Sequence, residues 1–413
     1  MRWLVLFCGA RVAFATMFTA YSAVLPLLRH EWQMTAWQAG MIQSGYHFGF
    51  LISLFCVGFL SDRHGARRIY LASSIAAVLS TLLFAFFSSG FWSGLLLYGL
   101  TGLCAGGSYT PGLALVAQQQ QGQRQGRAMG FYLAAASLGY AIGLIIASVM
   151  IPLSGWRGSF LITAFGPVLG LLLGYAALRG VPNVIHRTPE RHGVLARFGE
   201  VIGNRAAMLS IWGYTFHAWE LLGLWAWLPS FLGAAALASG SGGLQAASFA
   251  ATLTAITYLV AAGGSIIGGT LADRHGRTLV TLLMSVSSLI CSFTFGWMIG
   301  LPMWLLLLVA TIYNFTGVAD SSIHSTTLAE LVEPSCLGTA YALRSALGFG
   351  AGALAPWVFG LALDIGRSSG TIADTRVWAL AWATLGLGGL LGPWAIWRLR
   401  KMPDAWRLAG GRR

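Results

Sequence analysis

The chain has 413 residues, of which 56% are hydrophobic and only 9% charged, whereas soluble domains carry about 25% charged residues. That balance excludes a water-solvated globule and leaves lipid as the solvent. The formal net charge of +13 does not by itself point to nucleic acid, because the basic residues gather in the short segments between apolar stretches.

A helix that crosses a bilayer needs roughly 20 mostly apolar residues. Hydropathy and turn signals predict twelve such spans, near 4–27, 38–60, 69–89, 92–116, 129–151, 158–179, 208–234, 248–271, 279–299, 302–330, 338–363 and 376–398. The stretch from Arg2 to Ala10 resembles the start of a secretory signal, but the apolar pattern runs on to Leu28 without a convincing cleavage site and reads as the first span. With the N-terminus inside, the cytoplasmic side receives most of the basic residues, among them Arg2, Arg63, Arg67, Arg68, Arg187, Arg191, Arg197, Arg274, Arg277, Arg344, Arg400 and Lys401. The opposite side receives Arg29, Arg157, Arg367 and Arg376, and Arg11 stays inside the first span. This bias places both termini in the cytoplasm, in a cell inner membrane. It adds attraction to anionic membrane lipids and leaves no role for nucleic acid. Five cysteines, an odd number with no CxxC pair, predict neither a disulfide framework nor a metal site, and no cofactor is expected.

The longest polar interruption, 180–207, separates a six-span bundle at 1–179 from a second at 208–398, with a basic cytoplasmic tail at 399–413. The halves echo each other. After the second span stands Gly58-Phe-Leu-Ser-Asp62-Arg63-His64-Gly65-Ala-Arg67-Arg68, and after the eighth stands Gly269-Thr-Leu-Ala-Asp273-Arg274-His275-Gly276-Arg277. A weaker echo pairs Leu138-Gly139 to Gly143 in the fifth span with Leu347-Gly348 to Gly352 in the eleventh, a spacing of small residues that lets helices approach closely. Parallel six-helix halves mark carriers that rock about a site near the midplane.

The repeated Gly-x-Leu-x-Asp-Arg-x-Gly-Arg loop resembles the hallmark of the major facilitator superfamily. Gly155-Trp156-Arg157, the span around Gly102, Gly106, Gly107 and Pro111, and Ala355-Pro356 through Asp364 are similar to further family features. The resemblance implies an all-α integral membrane protein with twelve transmembrane helices in two pseudo-symmetric bundles: a monomeric secondary transporter and not an enzyme. Two departures stand out. Tyr98 replaces the family's usual arginine in the fourth span, so that arginine's proton-relay role does not carry over, and 135–147 lacks the proline of drug/proton antiporters. The resemblance also implies a conformational latch at Gly58, Asp62, Arg63, Gly65, Arg67 and Arg68, with Asp62 meeting a helix N-terminus and the arginines in water. Its second copy is Gly269, Asp273, Arg274, Gly276 and Arg277, where Thr278 replaces a basic residue. The alternative is that these charges serve topology only.

A charge at mid-bilayer costs on the order of 3 kcal/mol and demands a partner or a wet cavity. The second half supplies Tyr214, His217 and Glu220 on the seventh span and Tyr313, Asp320 and His324 on the tenth. His217 and Glu220 are three apart, Asp320 and His324 four apart, so each pair shares a helix face. At about 1.5 Å per residue the two carboxylates lie at similar depth. Such groups can exchange a coupling proton, or His217 and Glu220 can simply satisfy one another. Arg11 either binds an anionic group through its planar fork or snorkels to the surface, and Arg344 poses the same choice. His324 either joins the cluster or lies near the cytoplasmic mouth. His47, accompanied by Tyr21, Tyr46 and Tyr109, is uninformative alone. Of the tryptophans on the seventh span, Trp219 is the candidate cavity wall and the others read as interface anchors.

The expectation is a secondary carrier of a small organic solute, proton-coupled and anion-preferring, working by alternating access. An efflux carrier for lipophilic cations is the first rival, and a transporter-like membrane sensor or scaffold the second. A membrane enzyme lacks support: no nucleophile–base set, phosphate loop or metal-ligand spacing is present.

Overall fold

The computed structural model describes residues 2–120, 123–185, 194–367 and 375–412, and no strand occurs among them. In chain order the helices are α1 (Arg2–Ala15), α2 (Ala20–Glu31), α3 (Ala36–His64), α4 (Ala66–Phe87), α5 (Phe91–Ala105), α6 (Thr110–Gln119), α7 (Gln123–Leu178) and α8 (Val194–Gly203). They continue as α9 (Arg205–Ala238), α10 (Gly243–Ala262), α11 (Gly264–His275), α12 (Arg277–Thr294), α13 (Met303–Leu331), α14 (Leu337–Arg367), α15 (Thr375–Gly389) and α16 (Leu391–Arg400), followed by a 3-10 segment, Pro403–Gly410.

Local chemistry explains several boundaries. Thr35 opens α3 with a reciprocal cap: its hydroxyl accepts from the Gln38 amide at 3.4 Å, and Gln38 Oε1 accepts from the Thr35 amide at 3.0 Å. The last glycine of each repeated loop, Gly65 at φ +89 and Gly276 at φ +103, ends one helix and starts the next. Any side chain would be strained at that backbone setting. Arg157 donates to the carbonyls of Ala85 and Ser88 at 3.3 and 3.0 Å, so the Gly155-Trp156-Arg157 motif satisfies orphan acceptors at the end of α4.

Among the described residues ten helices are long and apolar enough to cross a bilayer. The predicted spans 129–151 and 158–179 lie within one of them, Ala128–Leu178, which is interrupted where Gly155 adopts φ +65 and ψ −166. The predicted span 92–116 is divided between α5 and α6 by a 3-10 turn at Gly106–Ser108. Many large apolar side chains face outward, Phe59, Leu153 and Ile266 among them, as a lipid-solvated surface requires.

The chain forms two compact units, Met1–Thr188 with Leu228–Leu259, and Pro189–Trp227 with Val260–Arg413. In the first unit Phe7, Phe14, Tyr70, Leu115 and Tyr132 form a core. A Cβ at Gly139 or Gly143 would meet the carbonyl oxygens of Val12 or Thr16, so these glycines bring α7 against the chain of α1 and the turn after it. In the second unit a Cβ at Gly348 would lie 2.5 Å from the Tyr214 ring and one at Gly352 2.7 Å from the Ala218 carbonyl oxygen. The weaker sequence echo is therefore a matched pair of close helix contacts.

Of the interruption at 180–207, residues 186–193, including Arg187 and Arg191, lie outside the described residues. The remainder is not plain loop. Asn183 bonds back to the first repeated loop, and α8 buries Val201 against Ala207, Ile211, Leu328 and Ala340.

Candidate functional site

Three helices of the second unit carry a buried charge cluster. Asp320 on α13 is fully buried. His217 on α9 places Nδ1 3.0 Å from Asp320 Oδ1, and His324, one turn along α13, places Nε2 3.9 Å from Oδ2. The two imidazole centroids are 5.6 Å apart. His217 also uses its other nitrogen, with Nε2 2.9 Å from Ser321 Oγ. Arg344 enters from α14. Its Nη1 donates to Ser325 Oγ at 2.7 Å, and its guanidinium carbon lies 4.4 Å from the Tyr214 ring centroid and 4.9 Å from that of Tyr341. The side chain does not snorkel: Arg344 is 8% exposed, its Nε has no partner, and no carboxylate lies within ion-pair distance among the described residues.

Glu220 sits one turn along α9 from His217 but is held by different groups. Ser292 Oγ on α12 donates to Oε1 at 2.5 Å and Ser288 Oγ to Oε2 at 2.9 Å. Tyr313 Oη in turn hydrogen-bonds Ser292 Oγ. The His217–Glu220 pair considered from spacing is not formed, because His217 spends its nitrogens on Asp320 and Ser321. The two carboxylates thus occupy unlike settings, Asp320 among imidazoles and Glu220 among neutral hydroxyls.

Several neighbours escaped the sequence reading. Ser288 and Ser292 belong to a buried stripe with Thr281 and Ser285 on α12, a helical spacing that was available as a signal. Asn314, fully buried on α13, accepts from Trp225 Nε1 at 3.0 Å, so Trp225 serves a buried polar group and not only an interface. Trp219 donates to the Thr384 carbonyl at 3.2 Å and packs on Gly388 of α15. His324 is buried within the cluster, not placed at a mouth.

The first unit holds a second buried cation. Arg11 is 7% exposed, donates from Nη1 to Ser108 Oγ at 2.7 Å, and lies 5.5 Å from the Tyr109 ring and 5.7 Å from the Tyr132 ring. Like Arg344 it has an unpartnered Nε and no carboxylate within ion-pair distance among the described residues. Burial removes the snorkelling option here too.

The repeated loops also differ. Asp62, Arg63 and Arg68 are exposed and enter no ion pair among the described residues. Asn183 braces the Gly65 turn, donating to the His64 carbonyl at 2.7 Å and accepting from the Arg68 amide at 3.2 Å, while Gly58 passes within van der Waals reach of Thr110. In the second copy Arg277 is only 8% exposed. It pairs with Asp273 at 2.5 Å and Glu330 at 2.9 Å. The C-terminal segment joins in: Glu330 accepts from the Ala409 amide at 2.9 Å, Arg412 donates to the Asp273 carbonyl at 2.9 Å, and Arg400 donates to Thr278 at 3.1 Å. Gly269 faces Ser322, and Arg274 and His275 are exposed.

An all-helical, multi-pass membrane protein whose second unit buries an unpaired guanidinium beside a carboxylate–imidazole cluster has the make-up of a transporter. The model of the Major Facilitator Superfamily matches residues 6–356, and the chain belongs to that family. It is 25% identical over 347 residues to a probable 4-methylmuconolactone transporter of Cupriavidus pinatubonensis, covering 80% of this chain and 77% of that protein. It is 27% identical to the gentisate transporter of Corynebacterium glutamicum over 62% of this chain and 57% of that protein, and 26% identical to a probable sulfoacetate transporter of Cupriavidus necator over 61% and 60%. For these two the match spans less than two thirds of the relative. Among solved structures, a bacterial homologue of the human lysosomal transporter Spinster superposes with a TM-score of 0.76 at 16% identity, covering 97% of this chain and 98% of that one. A D-xylose–proton symporter does so at 0.76 and 16%, covering 98% of each. At those identities the likeness is one of fold.

Proposed function

We propose that the protein is a proton-coupled carrier of a small organic anion. The observation that carries this reading is the pair of guanidiniums, Arg11 and Arg344, each buried among hydroxyls and aromatic faces without a carboxylate partner. A buried charge left unpaired is costly, and an anionic solute supplies the missing charge. The relatives named for gentisate and sulfoacetate support the same solute class. The rival, a carrier of lipophilic cations, is less favoured: Glu220 is engaged by two hydroxyls, and Asp320, although neither of its oxygens accepts a hydrogen bond, lies within ion-pair distance of two imidazoles.

Coupling falls to Asp320, His217 and His324. A neutral His217 holds its proton on Nδ1 toward Asp320 and accepts from Ser321 at Nε2, whereas the imidazolium donates at both. Proton uptake therefore leaves the heavy-atom arrangement intact while adding a charge beside Arg344. Glu220, with Ser288, Ser292 and Tyr313, is the second protonatable group. In this reading the chain makes twelve crossings, counting one on each side of Gly155 and one through α5 and α6. The protein works as a monomer in the cell inner membrane with both termini cytoplasmic and alternates access between its two bundles. Exposed Asp62 and Arg63 are the latch groups left available to pair in one state of the cycle.

The test is flux in proteoliposomes with and without an imposed proton gradient, after a thermal-shift screen of organic anions. Gradient-driven accumulation that is lost in Asp320→Asn is the expected result. Accumulation indifferent to the gradient would overturn proton coupling, and stabilisation by lipophilic cations alone would overturn the anion preference.

A further inference from the structure

We infer that the last membrane-spanning helix carries, on its outward face, a binding site for an anionic phospholipid of the surrounding bilayer. Trp394 and Trp397 stand at the level of the lipid esters and Arg398 with Lys401 at the phosphate. The inference stands apart from the solute reading above and holds whichever solute is carried.

The site follows from a gradient of chemistry along one helix face. Leu390, between α15 and α16, keeps helical torsions of φ −54 and ψ −36, so the face runs on from one helix into the next. Leu387, Leu391, Trp394, Arg398 and Lys401 succeed one another every three or four residues, the spacing of a single face, and Trp397 adjoins Arg398. All of these side chains are exposed. At about 1.5 Å per residue the run from Leu387 to Lys401 covers roughly 21 Å, the depth of one leaflet with its headgroups. Its order of leucine, indole and cation is the order of a phospholipid's own acyl, ester and phosphate levels.

Charge accounting selects an anionic headgroup. The cations at the end of α16 divide: Arg400 turns inward and donates to Thr278 at 3.1 Å, whereas Arg398 and Lys401 are exposed and form no ion pair among the described residues. Lys401 Nζ lies 3.5 Å from the Trp397 ring centroid, so the side chain reaches back along the helix and rests its ammonium on the indole. An ammonium on a ring face keeps N–H donors for its surroundings. Arg398 adds a planar fork beside it, and a phosphate accepts from both. The indole nitrogens of Trp394 and Trp397 form no hydrogen bond to the protein among the described residues, which leaves two more donors for ester or phosphate oxygens. The occupant is a lipid and not a soluble anion because Leu387, Leu391 and Trp394 extend the same face with apolar surface that an acyl chain covers. Since Arg400 docks the same turn on Thr278, an occupied site fastens the C-terminal corner from the lipid side as well.

The experiment is native mass spectrometry of the full-length protein released from detergent micelles and titrated with phosphatidylglycerol or phosphatidylcholine of the same acyl chains. The first phosphatidylglycerol is expected to bind about tenfold or more tighter than phosphatidylcholine, and to raise the thermal transition. Arg398→Gln combined with Lys401→Gln should weaken phosphatidylglycerol by about tenfold or more, each cation near the surface contributing about fivefold, and bring the two lipids to within about twofold. Lys401→Gln alone, with an expected loss of about fivefold, serves if the pair does not fold. Arg205→Gln combined with Arg274→Gln, which removes the same charge from exposed positions elsewhere in the second unit, should change the affinity by about twofold or less. Trp394→Phe combined with Trp397→Phe, which keeps the rings and deletes the N–H groups, should weaken both lipids by about threefold and leave their ratio in place. Equal affinity of the unaltered protein for the two lipids, or equal losses from the Arg398–Lys401 and Arg205–Arg274 pairs, would overturn the site and reduce it to general surface charge. Displacement of the bound lipid by millimolar inorganic phosphate would assign the cations to a soluble anion and overturn the lipid.

Discussion

The loops at Asp62–Arg68 and Asp273–Arg277 share a motif and a glycine turn but sit in opposite electrostatic settings. In the first Asp62, Arg63 and Arg68 are exposed, Arg67 is half-buried, and the turn is braced by a neutral side chain, Asn183. In the second an arginine is buried between two carboxylates, and the C-terminal segment closes over the network through Ala409, Arg412 and Arg400. Thr278, which stands where the first loop has Arg67, receives a hydrogen bond from Arg400 and so becomes a docking point for the tail. The repeated residues therefore specify the turn, while Arg277, which stands where the first loop has Ala66, and its surroundings enclose the second set of charges. Free charges suit a contact that is made and broken, and an enclosed network suits a fixed corner.

Three measurements would sharpen or break this contrast. The largest effect is expected from Arg277→Ala, which leaves Asp273 and Glu330 facing each other without their cation. Since both carboxylates are partly exposed, the loss should be on the order of 2 kcal/mol, below the 3–5 kcal/mol of a fully buried pair. It reads as a lowered thermal transition in detergent, and Arg63→Ala should leave that transition in place. Comparable losses from the two variants would abolish the distinction. A middling effect is expected from Asn183→Ala, about 1 kcal/mol for two hydrogen bonds at an exposed turn. Raising the ionic strength should leave that cost unchanged, because both partners of Asn183 are uncharged backbone groups. The smallest is a double-mutant cycle between Arg277 and Glu330, with a coupling of about 1 kcal/mol that falls as salt is added. The same cycle between Asp62 and Arg63 should give none.

Much of the architecture was legible in the residues. The duplicated glycine–aspartate–arginine–histidine–glycine loop and the paired small-residue motifs located the helix ends and the close contacts of α7 and α14. The candidate site was only partly legible, because spacing along one helix says which side chains share a face but not what that face meets. Spacing put Glu220 beside His217; the rotation of α9 turns His217 to Asp320 and leaves Glu220 to the serines of α12. Arg11 looked able to reach the surface by length alone, yet Ser108 and two tyrosines hold it inside. Serine carries too little hydropathy signal to announce Ser288 and Ser292, and Trp225 looked like an anchor because its acceptor, Asn314, lies 89 residues away.

Asn183 has a consequence for the order in which the chain matures. Its bond to the His64 carbonyl joins residues 119 positions apart, so at 5–20 residues per second of synthesis the Gly65 turn waits roughly 6–24 s for its brace. During that interval Arg63, Arg67 and Arg68 have emerged while the backbone turn they flank is still unbraced. They are free to engage anionic headgroups and retain their side of the membrane before the sixth span is complete, so orientation is decided first and the corner is fastened afterwards.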